Sequence, residues 1–168
     1  MTIENCNVSI PIDLMNILKS RFYMPVYGKF STKCIYALRA VLELALHEGF
    51  RVVKSQQIAS AQGIPLRFLE IILAELRQGG FVESRRGNAG GYILARQPET
   101  ITVAQVIDFI EGHKAQGQEI ADGGDDPFAI LWQELDHARL NVLASTSFAD
   151  LAGEEVRKRN LRAPNYVI

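Results

Sequence analysis

Residues 64–95 read IPLRFLEIILAELRQGGFVESRRGNAGGYILA. Pro65 stands where a helix begins, since its ring pre-sets φ and the N–H it lacks would be unpaired in a first turn. Behind it Phe68, Leu69, Ile72, Leu73 and Leu76 recur at helical spacing and predict the buried face of a short helix. Arg67, Glu70, Glu75 and Arg77 are left to point outward. Gly79-Gly80 stops the helix. Two short extended runs, Phe81–Ser84 and Tyr92–Ala95, then flank a tip holding Arg85, Arg86, Gly87, Gly90 and Gly91. The tip glycines are expected to take positive φ and to let the chain approach another backbone closely.

Upstream, Gln56–Gln62 predicts a second short helix capped by Ser55, with Ile58 and Ala59 inward and Gly63 as the turn. Two short helices joined by a glycine turn, the second with an open polar face, make a helix-turn-helix; the hairpin makes it winged. Before it, Ser31 or Thr32 caps a helix in which Ile35, Leu38, Val41, Leu42, Ala45 and Leu46 fall at helical spacing until Gly49. Arg51–Lys54 reads as a brief strand. Downstream, Thr102 caps a helix from Val103 to Glu111 with Val106, Ile107 and Ile110 inward, and a polar, glycine-rich link runs from His113 to Asp125. Asp126-Pro127 starts a longer helix whose Phe128, Leu131, Trp132, Leu135, Ala138, Val142 and Leu143 keep a near-heptad stripe. Ser145 or Thr146 opens a last short helix with Phe148 and Leu151, and Lys158–Ile168 reads as an extended tail around Pro164.

The fold class expected is mainly α with a small β wing. Residues 29–97 form the winged helix-turn-helix domain, 98–125 a connecting helix and linker, and 126–168 a long dimerisation helix with a tail. Residues 1–28 carry no sustained period beyond a short amphipathic piece, Ile12–Phe22, and are read as a mobile extension.

The 168 residues suffice for one core of ordinary size. No apolar run approaches the roughly 20 residues of a membrane span. Asp13, Lys19 and Arg21 interrupt the N-terminal apolar pieces, so no secretory signal is read and a cytoplasmic location is expected. Cys6 and Cys34 are too few for a disulfide framework or a thiolate metal site. His47, His113 and His137 lie in unrelated segments, without a nucleophile–base pair or metal spacing, which disfavours an enzyme. The net charge of −1 hides an asymmetry. From Lys29 to Gln97 ten Lys/Arg face five Asp/Glu; from Pro98 onward six face twelve. A basic half joined to an acidic half suggests polyanion binding by the first and another task for the second.

The pattern Ile64-Pro65-x-x-Phe68-Leu69-Glu70, Leu73-x-x-Leu76-Arg77-x-Gly79-Gly80-Phe81-Val82, then Ser84-x-Arg86-Gly87-x-x-Gly90-Gly91-Tyr92-x-Leu94-Ala95 resembles the Rrf-two (Rrf2) family of bacterial transcription regulators. Ser31-Thr32-Lys33 with Tyr36-Ala37-Leu38 is similar to that family's opening. The resemblance implies a dimeric DNA-binding repressor paired through its long C-terminal helix, here Phe128, Leu131, Trp132, Leu135 and Val142. Many members of the family hold an iron–sulfur cluster through three cysteines after the Thr102-type helix. Glu111–Pro127 contains no cysteine, so no cofactor is expected. Leu131-Trp132, Ser145-Thr146-x-Phe148-x-Asp150-Leu151-Ala152 and the aromatic–Ile ending are similar to the cluster-free branch that represses cysteine metabolism.

On double-stranded DNA, Lys33, Ser55, Arg77 and the backbone N–H groups of the Pro65 turn are candidates for phosphate. Arg86, with Arg85 and Gly87, is the wing's candidate for a narrow minor groove. By motif position Pro65, Arg67 and Glu70 line the major-groove face, where Arg67 suits a guanine edge and Glu70 a cytosine amino group. Control has three candidates. The resemblance implies docking of the C-terminal Tyr166-Val167-Ile168 into O-acetylserine thiol-lyase. Cys34, beside Lys33 at a helix start, is a redox candidate. A small ligand between the domains is the third. A winged-helix adaptor that binds protein without reading DNA is the alternative from another class.

Overall fold

The structure, a computed structural model, describes residues 30–47, 51–87, 90–112 and 127–162. Its elements run α1 (Thr32–Leu46), α2 (Ser55–Gln62), α3 (Leu66–Gln78), β1 (Val82–Arg85), β2 (Gly91–Leu94), a 3-10 turn at Pro98–Thr100, α4 (Val103–Glu111), α5 (Ala129–Ser145) and α6 (Phe148–Arg162). The mainly helical architecture with one small antiparallel sheet agrees with the expected class.

Helix α1 is the hub: α2, α3, α4, α6 and β2 all pack on it. Ser31, rather than Thr32, caps it, its Oγ accepting from the Cys34 N–H at 3.1 Å. The buried residues are Cys34, Ala37, Ala40, Val41, Leu44 and Ala45, with Glu43 among them. Of the expected set, Ile35, Leu38, Leu42 and Leu46 are only half-buried. A helix touched on several sides needs small side chains where its neighbours approach, because side-chain size at the contact sets the interaxial distance. Glu43 accepts from Gln62 Nε2 at 2.7 Å and lies 3.3 Å from His47 Nε2, which ties the end of α2 to α1.

Lys54, not Ser55, is the N-cap of α2; its N–H donates to Gln57 Oε1 at 3.0 Å, and Ser55 is the first helical residue. Gly63, at φ 64°, makes the left-handed turn out of α2. Pro65 is the N-cap of α3, one position earlier than expected, and its carbonyl accepts from the N–H groups of Phe68 and Leu69 at 3.0 and 3.1 Å. Leu69, Ile72, Leu73 and Leu76 are buried as expected. Phe68 is not: it is 61% exposed. At 100° per residue it lies about a quarter turn off the line through the other four.

The wing pairs Val82 with Leu94 and Arg85 with Gly91. The expected strand at Arg51–Lys54 reduces to one bridge, in which Val53 exchanges hydrogen bonds of 2.9 and 2.8 Å with Tyr92. Only Gly87 of the three tip glycines takes a positive φ, 116°. Gly90 and Gly91 are needed for a different reason. A Cβ would stand 2.6 Å from the Arg85 carbonyl oxygen at Gly90, and 2.4 Å from that of Val53 at Gly91.

Thr102 caps α4 in a reciprocal pair with Gln105, each bond 3.4 Å, and the helix spans the expected residues. At its other end Glu111 accepts from the N–H and Oγ of Ser31 at 2.9 and 2.6 Å, so the end of α4 holds the start of α1. Burial works against the Glu111 charge, but these bonds outweigh it and hold the carboxyl below its ordinary range. The start of α6 is stitched beside that of α4: Val103 N–H donates to Thr146 O at 3.0 Å, and Phe148 N–H to Ile101 O at 2.9 Å.

Ser147, rather than Ser145 or Thr146, caps α6, with Asp150 as its reciprocal partner. Nor is α6 short: it runs fifteen residues, so Lys158–Arg162 is helical instead of extended. Ion pairs Glu154–Lys158 and Glu155–Arg159, at 4.0 and 3.1 Å, support that stretch. The readings of residues 1–28, of the link after Gly112 and of the C-terminal Tyr166-Val167-Ile168 lie outside the described residues.

Replacing Gly91 by alanine is expected to break the Val53–Tyr92 pair. Losing those hydrogen bonds costs about 0.5–1.5 kcal/mol each. Urea unfolding at equilibrium measures it, and an unchanged midpoint would contradict the close-approach account.

Candidate DNA-binding surface

One line of α3 is pressed onto the core and the opposite side is bare. Arg67, Glu70 and Arg77 are exposed on it, as expected, while Glu75 is half-buried. Two further exposed side chains were not anticipated as surface: Phe68 and Ile71, the latter 58% exposed. The signal for Ile71 was present in the spacing, since it falls off the line Leu69, Ile72, Leu73, Leu76.

The edges of this surface are tied to neighbouring elements. On one side Lys33 of α1 reaches Glu75 at 3.1 Å, so this expected phosphate ligand already holds a carboxylate partner while remaining near-half exposed. On the other, Arg77 Nη1 donates to Ser84 Oγ of β1 at 3.4 Å, joining the end of α3 to the wing. Arg85 pairs with Glu83 at 3.1 Å across the exposed face of the strand. Arg86 and Gly87 stand exposed at the tip, and Arg86 has no ion pair among the described residues. Ser55 sits at the start of α2, half-buried.

Pro65 offers no side-chain oxygen to the first turn of α3. Its leading N–H groups therefore lack the partner that a serine or aspartate cap supplies, and a helix start in that condition suits an anion. The root of the wing is braced from behind. The Phe109 ring of α4 lies over Gly79, where a Cβ would stand 2.7 Å from it, and 5.4 Å from the Phe81 ring. Arg96 covers that ring at 5.4 Å.

No residue of α5 is buried. Phe128, Leu131, Trp132, Leu135 and Val142 all face outward, together with Ile130, and the rings of Phe128 and Trp132 lie 6.3 Å apart.

The redox reading of Cys34 is corrected. Its thiol is fully buried, and desolvation, reinforced by the charge and hydrogen bond of Glu111, pushes its pKa up to about 12 against the opposing pull of Lys33. The residue behaves as a small packing group, because the reactive form is the thiolate.

A family model described as Rrf2, iron-dependent transcriptional regulator, matches residues 30–154. An HTH-type transcriptional regulator of Mycobacterium tuberculosis (strain H37Rv) is 39% identical over 132 residues, 74% of this chain and 81% of that one. The regulator IscR of Photorhabdus laumondii is 34% identical over 132 residues, 76% of this chain and 80% of its own. Among solved structures, CymR of B. subtilis, titled the global cysteine regulator, superposes with a TM-score of 0.67 at 34% identity, over 74% of this chain and 96% of that one. These relatives are regulators of transcription, not enzymes.

The iron in the family's description can be tested against the donors of this chain. Cluster iron is held mainly by thiolates. The sequence contains two cysteines, one of them the buried Cys34 with its raised pKa. Among the described residues, no three His, Cys, Asp or Glu side chains come together as a metal site. A cluster held by three cysteines does not fit this chain.

From Phe30 at the foot of α1 into α6 the family match covers every element that builds the bare face of α3 and its wing, and the chain belongs to the Rrf2 family of DNA-binding transcriptional regulators.

Proposed function

We propose that this protein is a cytoplasmic repressor that binds an inverted-repeat operator as a homodimer. The observation that carries the DNA half of this reading is the bare face of α3 with its uncapped start, flanked by Arg67, Arg77, Arg85 and Arg86. In this reading residues 29–97 read the DNA, 98–125 connect, and 126–168 pair the two copies. Arg67 and Glu70 meet base edges, while Lys33, Ser55, Arg77 and the Pro65 turn meet phosphates. Arg86, beside Arg85 and Gly87, enters the minor groove.

The dimer half rests on α5. Six large apolar side chains stand exposed from Phe128 to Val142. Full burial of such a side chain contributes about 1.5–3 kcal/mol, and covering the part still exposed here roughly half of that; a second copy of the same helix supplies the cover symmetrically. Control of sulfur metabolism is the finer part of the proposal, supported by the likeness to a protein titled global cysteine regulator. The terminal Ile168 with Tyr166 and Val167 suits capture by O-acetylserine thiol-lyase as an end-group ligand. The acidic half from Pro98 onward is what an adaptor would use, and the basic Arg85-Arg86 with the positive balance of residues 29–97 weigh against that reading.

Arg86→Ala is expected to weaken binding and to lower the slope of log K against log salt by about 0.9, one phosphate's worth. An unchanged slope removes the wing from the interface. Trp132→Asp with Leu135→Asp is expected to give a monomer in sedimentation equilibrium that keeps its helical signal but loses operator binding; a variant that still sediments as a dimer excludes α5 as the interface. Deleting Ile168 is expected to abolish co-purification with O-acetylserine thiol-lyase while leaving DNA affinity unchanged. Retention of the enzyme by the truncated chain argues against tail docking.

A further inference from the structure

The line of α3 opposite its buried one consists of Arg67, Ile71, Ala74 and Gln78, at spacings of four, three and four residues. Arg67 and Gln78 are exposed and Ala74 is half-buried. Ile71 is 58% exposed and is not among the apolar side chains that pack on the core. The line runs between two tethered edges, Glu75 held by Lys33 and Arg77 held by Ser84. It is therefore the part of α3 that reaches furthest from the domain. A bare β-branched aliphatic stands at its centre, one turn from Arg67 and with the exposed Phe68 beside it.

The surroundings select its occupant. An apolar protein partner seated on Ile71 would strip water from Arg67 without offering a negative charge in return. The DNA major groove offers both halves of the match. Its rims are phosphates, and its floor carries one apolar group, the C5-methyl of thymine. We propose that Ile71 is a specificity-determining residue that reads thymine by covering this methyl, one helical turn from the base edge met by Arg67. The inference rests on the DNA-reading face proposed above. Four residues of helix rise by about 6 Å, against 3.4 Å per step along a strand. The thymine therefore falls within about two base pairs of the position read by Arg67.

The test uses the full chain and a duplex enriched by it from a random 30-bp pool, resynthesised with deoxyuridine in place of thymine at one position at a time. Uracil keeps the pairing and the O4 acceptor and lacks only the methyl. At one position in each half-site the exchange is expected to weaken wild-type binding about fourfold, the value of one buried methyl group. Ile71→Ala is expected to bind the thymine duplex weaker by a similar factor and to make no distinction between thymine and uracil there. Arg67→Ala is expected to bind more weakly overall yet to keep the distinction. Equal wild-type affinity for thymine and uracil at every position overturns the proposal, as does discrimination that survives in Ile71→Ala. A pool from which nothing is enriched overturns the DNA-reading face itself, and the role of Ile71 with it.

Discussion

The structure depends on one contact: the line Leu69, Ile72, Leu73 and Leu76 of α3 closing onto the core built around α1. All four side chains are 2% exposed or less, alongside Val41 and Leu44 of α1 at 0%. Burying each contributes about 1.5–3 kcal/mol. That seating fixes the rotation of α3 about its own axis, and hence which residues are left outside. A slip of one residue would turn the helix by about 100°, carrying Arg67 and Ile71 off the outermost line. The face proposed to read DNA is thus a consequence of the core, made of what the core does not use.

The rest of the domain holds that seating from its ends. Gly63 and Pro65 set the entry to α3, and Gln62 is clamped by the buried Glu43. At the exit, Phe109 lies on Gly79 and against Phe81, so α4 presses on the corner where α3 becomes the wing. The same α4 carries the contact with α5 and ends in Glu111, which holds the cap of α1. One short helix therefore touches both the reading unit and the helix proposed to pair two copies. A change in how α5 meets its partner has a physical route to the wing through α4. With two cysteines in the sequence, a cluster held by three does not fit as the source of such a change.

Much of this was legible in the sequence because the deciding residues have strong local preferences. Gly63 and Thr102 mark their turn and cap at the residue, Pro65 to within one, and the wing was anticipated as a hairpin. Where the reading failed, the cause was tertiary. The buried line of α1 was caught only at Val41 and Ala45, because a helix surrounded by neighbours also buries Ala37, Ala40 and Cys34, which hydrophobic weight underrates. The length of α6 was missed because Lys158–Arg162 is supported by charge pairs and carries no apolar period. Phe68 was placed inside with the rest of the apolar stripe, although its angle on the helix leaves it outside. The glycines at 90 and 91 were anticipated correctly as a close approach, yet only the fold reveals that Val53 is the backbone approached at Gly91. Of the exposed face of α3, the charged residues were visible in advance. Ile71 was not singled out, because an isoleucine on a helix reads first as core.

Dimethyl sulfate footprinting of a selected duplex tests the central claim most directly, that α3 and the wing form a reading unit used twice by a symmetric dimer. The reagent reads guanine N7 in the major groove and adenine N3 in the minor groove. Two protected regions are predicted, related by two-fold symmetry and lying on one face of the duplex, their centres one or more helical turns of about 10 bp apart. Each should show a protected major groove flanked by protection in the adjacent minor groove. A single unsymmetrical patch, or major-groove protection without the flanking minor-groove signal, would contradict the account.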